Sequence, residues 1–326
     1  MKAFSLSPFI KPGIATLLLM LVGYLGIWTS NVVLLPEFDE SFTNLRDTQW
    51  PIAYHISALL ALIATNSVLL RRFVLHFAII RIKSFLPVLF YLTFTVVWTG
   101  LRTDVLPHFF LTVFLLSLEL LFGMYRNRKA VEAAFLSSLV IAAVSLFNPL
   151  FLLLIPMVWI GMIITNALSL RVWLAGITGI ATPWIFYNAW YWFRGVETEF
   201  SALFIEKTIF ATGIPQLHWT FLVYAAAMAA MGIVALIGLY SRLLEDSIQT
   251  RKYIHVLVVT TFYTLIAAVI YGTSAHLFLP ILAFLMAVLI AHPLSLRRSM
   301  VYSVIFILFF LLNIVFLIVQ YIQILQ

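Results

Sequence analysis

The sequence has no cysteine and very little charge. Without a thiol there is no disulfide, no cysteine nucleophile and no thiolate ligand for zinc or an iron–sulfur cluster. Only 10% of the 326 residues are charged, against about 25% in an ordinary soluble domain. So little charge cannot cover a whole globule in water. No P-loop, GxGxxG or GxSxG elbow occurs, and the seven histidines show neither HxxxH nor HExxH spacing. No cofactor and no metal centre is expected.

What is present is apolar. Hydrophobic residues make up 64% of the chain, and the mean hydropathy is +1.10. A bilayer-crossing helix needs roughly 20 such residues. Apolar segments fall at 12–35, 51–70, 85–100, 107–125, 131–147, 149–168, 172–193, 217–241, 254–271, 275–292 and 300–324. The chain therefore reads as all-α: a polytopic transmembrane helical bundle of about 11 spans, forming a single integral membrane domain over 1–326. No small-residue cleavage pattern follows the first apolar run, so it reads as a signal anchor.

Lys and Arg collect on the inner side of membrane proteins. With the N-terminus inside, all basic residues but Arg46, Arg102, Arg194 and Lys207 fall on the inner side. The acids invert this: Glu37, Asp39, Glu40, Asp47, Asp104, Glu197, Glu199 and Glu206 fall outside. The net charge of +7 is thus an inner-face stripe and implies no nucleic acid. The basic, apolar stretch 71–83 is expected to be an interfacial amphipathic helix, with anionic lipids held at Arg71, Arg72, Arg81 and Lys83. Asn148-Pro149 should split a long apolar run into a helical hairpin. Residues 194–216 form the largest outer loop.

Several residues could carry chemistry. Asp39 and Glu40 follow the first span, where an outer carboxylate could serve as acid or base. Arg46, Arg102 and Arg194 defy the charge bias and could hold a phosphate or lipid headgroup. Each also has an ordinary explanation in loop solubility or ion pairing. Glu119 is the acid inside an apolar segment, which makes it a functional candidate by default. The aromatic exit of the seventh span, Trp184 to Phe193, fits an interfacial belt or a sugar-stacking surface.

The segment from Arg128 to Phe193 carries a small-residue run, an aliphatic hairpin, an R-x-W at Arg171 and Trp173, then Gly179 and Pro183 before the aromatic exit. In these features, and in the LPVLFY run upstream, residues 50–195 resemble an uncharacterised family of multipass inner-membrane proteins of Bacteroidota. The resemblance implies a cell inner membrane, so the orientation expected from the charge bias becomes a cytoplasmic N-terminus and a periplasmic C-terminus. It brings no catalytic residue with it.

Three functions are open on this basis. The first is an accessory or complex-forming component in cell-envelope biogenesis, with a protein partner in the membrane. The second is a transferase acting on a lipid-linked sugar at the periplasmic face, with Asp39 or Glu40 as acid or base and the three outer arginines on phosphate. The third is a transporter or lipid flippase with Glu119 as coupling group.

Overall fold

The computed structural model describes residues 7–12, 16, 20, 22–26, 52–98, 101, 104–195, 219–241, 243–296 and 300–325. The regular elements among them are all helical. They are α1 (Ser7–Ile10), α2 (Ile52–His76), α3 (Leu86–Val97), α4 (Val105–Gly123), α5 (Val131–Ser145), α6 (Ile155–Ile164), α7 (Leu170–Phe193), α8 (Trp219–Tyr240), α9 (Ile248–Ile270), α10 (Leu279–Leu296) and α11 (Met300–Leu325). Short 3₁₀ segments lie at Pro149–Leu154, Leu243–Glu245 and Gly272–Leu277.

Local chemistry explains the boundaries. Asn148 Oδ1 accepts from Leu150 N at 3.1 Å, and Pro149 follows at the first helical position. Ser169 and Ser247 cap α7 and α9 through hydroxyls that accept from Val172 N and Thr250 N. Pro87 stands in the first turn of α3, where its missing N–H costs nothing.

Six of the described helices, α2, α4, α8, α9, α10 and α11, are long and apolar enough to cross a membrane. The protein is a helical membrane protein in contact with lipid. The expected eleven spans are not all matched. The helix α3 has 12 residues and α5 has 15. At about 1.5 Å per residue both fall short of a hydrocarbon core of about 30 Å. The helix α7 is long enough, with 24 residues, but its second half is rich in Trp and Tyr and carries Asn188. Most of 12–35 and nearly all of the loop 194–216 lie outside the described residues.

The stretch 71–83 is not one separate helix. Residues 71–76 are the last turns of α2, and 77–85 follow as turns and bends. Ala78 adopts a positive φ of 47°, which breaks the helical path. The apolar periodicity continues past His76, but the backbone does not.

The chain divides into two compact units. One comprises Met1–His108, Gln216–Asp246 and Ala283–Gln326. In it, Phe90 and Phe94 of α3 pack on Phe309 of α11, with ring centroids 4.6 and 5.4 Å apart. Tyr224 of α8 stacks on Phe316 at 3.9 Å. The Tyr224 hydroxyl donates to Asn313 Oδ1 and accepts from Trp98 Nε1, both at 2.9 Å. A second buried network joins Tyr91 to His108 Nδ1 at 3.2 Å and His108 Nε2 to Leu101 O at 2.8 Å. The carbonyl can only accept, so Nε2 carries the proton and Nδ1 accepts from the tyrosine. These bonds satisfy polar groups that hydrocarbon could not.

The other unit comprises Phe109–Pro215 and Ser247–Leu282. Its centre is the pair α5 and α7, which pack backbone against backbone. A Cβ at Gly179 would run into the carbonyl oxygen of Phe135, so only glycine fits there. Ser137, Ser138, Ala142 and Ser145 give α5 a buried face of small side chains. Tyr253 of α9 stacks on Phe122 of α4 at 4.2 Å, and its hydroxyl donates to Phe122 O at 2.8 Å.

Candidate functional site

The most unusual chemistry in the first unit lies where three chain segments meet. The first is the bent segment after α2, which carries Arg81. The second is the corner after α8, which carries Glu245 and Asp246. The third is the end of α10, which carries His292.

The local structure puts each side chain in place. The Leu243–Glu245 turn closes with Asp246 N donating to Leu243 O at 3.1 Å, which turns Asp246 inward just ahead of the Ser247 cap. His292 sits on α10, whose side chains from Ala283 to Leu294 are almost all buried. Ser84 and Ser295, 2.8 Å apart, tie the bent segment to the end of the same helix.

Asp246 is the hub. Its side chain is 1% exposed, and its Oδ1 accepts from Arg81 Nε at 2.5 Å. Its other oxygen, Oδ2, lies 3.5 Å from His292 Nε2, within ion-pair range but long for a hydrogen bond. The second carboxylate, Glu245, stands 3.9 Å from Arg81 Nη1 and is about half exposed. The other ring nitrogen of His292, Nδ1, has no hydrogen-bond partner among the described residues, although the residue is only 3% exposed. The imidazole borders a cavity of about 90 Å³, also lined by Arg81, Gly238, Glu245 and Pro293. That is room for a few water molecules, at about 30 Å³ each in the liquid.

This arrangement can hold and exchange a proton. A carboxylate beside one imidazole nitrogen fixes the ring, and the ring borders space that water can enter. Among the described residues no three His, Asp or Glu side chains are placed to hold a metal ion.

The residues singled out from sequence fall elsewhere. Asp39, Glu40, Arg46 and Arg102 lie outside the described residues. Arg194 ends α7 with its guanidinium 4.5 Å over the Trp190 ring, an intrahelical cation–π contact. Glu119 is half-buried in the last third of α4. Of the four cations of 71–83, Arg81 is engaged by Asp246, and Arg71 lies 5.9 Å over the Phe85 ring. Arg72 and Lys83 are exposed.

Nothing in the sequence pattern singles out Glu245, Asp246 or His292. The signal in the chain is slight: the acid pair stands between Arg242 and Arg251-Lys252, and His292 directly precedes Pro293. No family model, no curated protein and no solved structure matches this chain.

Proposed function

We propose that the protein is a transport component of a bacterial inner membrane, serving cell-envelope biogenesis, with a proton-exchanging centre at Asp246 and His292. One observation carries this. In a chain with few charges, a buried carboxylate and a buried imidazole with an unbonded nitrogen meet beside a small cavity at the end of α10. Ionisable groups in such places are costly to keep and recur in ion pathways and proton relays.

The charges suggest how the centre works. With His292 neutral, Arg81 and Asp246 balance. A proton on His292 adds a second cation against one carboxylate. Glu245 then stands ready to take Arg81, so proton uptake shifts the guanidinium from Asp246 toward Glu245 and loosens the bent segment after α2. A charge change at one residue thereby biases the position of a backbone segment.

The test is proton uptake into proteoliposomes made from total inner-membrane lipid, so that lipid-borne substrates are present. Under an imposed potential, the wild type should acidify the lumen. Asp246→Asn and His292→Gln should each lower the rate about tenfold, within the range one acid–base group contributes. Equal rates in all three proteins would refute the proposal.

A second function, the accessory role with a partner in the membrane, is favoured by the end of α7. Past Pro183 that helix buries no side chain, and Phe186, Trp192 and Phe193 are each more than 70% exposed. Tryptophan-rich apolar ends of this kind suit partner helices as well as lipid. A stoichiometric protein partner in gently extracted complexes, lost in Trp192→Ala, would support it. Retention of the partner in that variant would remove it.

A further inference from the structure

The second unit has a groove of different character. It runs along the surface between α5 and α7, with a volume of about 490 Å³. Its walls are apolar, from Val131, Phe135, Leu174 and Ala175, and its charged lining residues are Glu132 and Arg171. The two helices run parallel. Near their starts Ser169 Oγ donates to Arg128 O at 2.9 Å, and farther along Trp184 Nε1 donates to Ser145 Oγ at 3.1 Å. Glu132 and Arg171 occupy the first turns of the two helices, so both charges sit at the same end of the groove.

Both charged side chains are exposed, and among the described residues no ion pair joins either one to another group. Glu132 also departs from the charge bias of the sequence. It follows Arg126, Arg128 and Lys129, on the side where the bias favours cations. The apolar walls are open as well, with Leu174 49% and Val131 41% exposed.

We infer that this groove binds a phospholipid with a primary-amine headgroup from the surrounding bilayer. Arg171 holds the phosphate, Glu132 accepts from the ammonium, and an acyl chain lies along Phe135 and Leu174. The acid selects the headgroup. A lipid with only a phosphate would place a second anion against Glu132. A quaternary ammonium would bring the charge without an N–H to donate. Arg128 and Lys129, in the turn before α5, add positive charge where the phosphate lies. This site is separate from Asp246 and His292, and neither depends on the other.

The test is native mass spectrometry of the whole purified protein with equal amounts of dioleoyl phosphatidylethanolamine, phosphatidylcholine and phosphatidylglycerol. The wild type should retain the ethanolamine lipid about threefold to tenfold over each of the others, the range expected of one partly exposed charge-assisted hydrogen bond. Glu132→Gln should erase the preference over phosphatidylcholine while leaving total lipid retained. Arg171→Gln should lower retention of all three. Both residues are exposed, so an unchanged melting midpoint is the folding control. If Arg171→Gln fails that control, Glu132→Gln alone decides. Equal retention of the three lipids by the wild type, a preference for phosphatidylglycerol, or a preference that survives Glu132→Gln would overturn the inference.

Discussion

Removing the carboxylate of Asp246 should cost more than removing either of its charged neighbours, and the structure says by how much. The contact with Arg81 is short, at 2.5 Å, and the Asp246 side chain is 1% exposed. A hydrogen bond to a charged group is worth about 1.5–3 kcal/mol when well sheltered. Arg81, however, is 41% exposed, so water screens its side of the pair. That draws the coupling toward the range of exposed pairs, about 0.2–1 kcal/mol. The expected coupling for Arg81 and Asp246 in a double-mutant cycle is therefore about 1–2 kcal/mol. For Arg81 and Glu245, at 3.9 Å with both groups near half exposed, it is below about 0.5 kcal/mol. Asp246→Asn by itself should cost about 2–3 kcal/mol, because it also strips the buried carboxylate that lies 3.5 Å from His292. The assay is reversible unfolding in mixed micelles for Arg81→Gln, Asp246→Asn, Glu245→Gln and the two doubles. A coupling for Arg81 with Asp246 no larger than that with Glu245 would refute the ranking, and with it the role of Asp246 as hub.

Two further predictions concern the packing inside each unit. Gly179→Ala should cost about 1–3 kcal/mol, the usual range for overpacking, because its Cβ meets the Phe135 carbonyl and α5 cannot yield without breaking its own ladder. Unfolding of that variant in mixed micelles checks this, and a neutral outcome would mean the helices are not in backbone contact. Tyr224→Phe leaves Trp98 Nε1 and Asn313 Oδ1 without their shared partner and should cost about 1–3 kcal/mol despite the retained ring stack. Tyr224→Phe combined with Asn313→Leu should recover part of that loss, which the same assay reads.

Much of the architecture was legible in the chain because hydrocarbon leaves few options. Long apolar runs must be helices, and the runs that became α2, α4, α8, α9, α10 and α11 are unbroken. The Asn148-Pro149 break was legible too, since a side-chain cap and a proline ring act on their immediate neighbours. What could not be read was length and convergence. The sequence periodicity runs smoothly through 71–83, and only the backbone shows the turn at Ala78. Arg81 lies 165 residues before Asp246, and a whole helix, α9, stands between Asp246 and His292, so their meeting depends on how helices pack. Glu119 attracted attention because hydropathy measures depth along one segment. Asp246 escaped it because a loop residue can be buried by its neighbours in space. The Glu132 and Arg171 pair was equally invisible, since it requires α5 and α7 to run parallel with a full hairpin between them.

The central claim is that His292 exchanges a proton with water while Asp246 holds it in place. The measurement that tests it most directly is nitrogen-15 histidine NMR of the protein reconstituted in lipid and titrated across the range in which it stays folded. The account predicts one reversible imidazole titration that is missing in His292→Gln and altered in Asp246→Asn, with the other histidine signals undisturbed. A His292 signal that never changes before the protein unfolds, or one indifferent to Asp246→Asn, would contradict it.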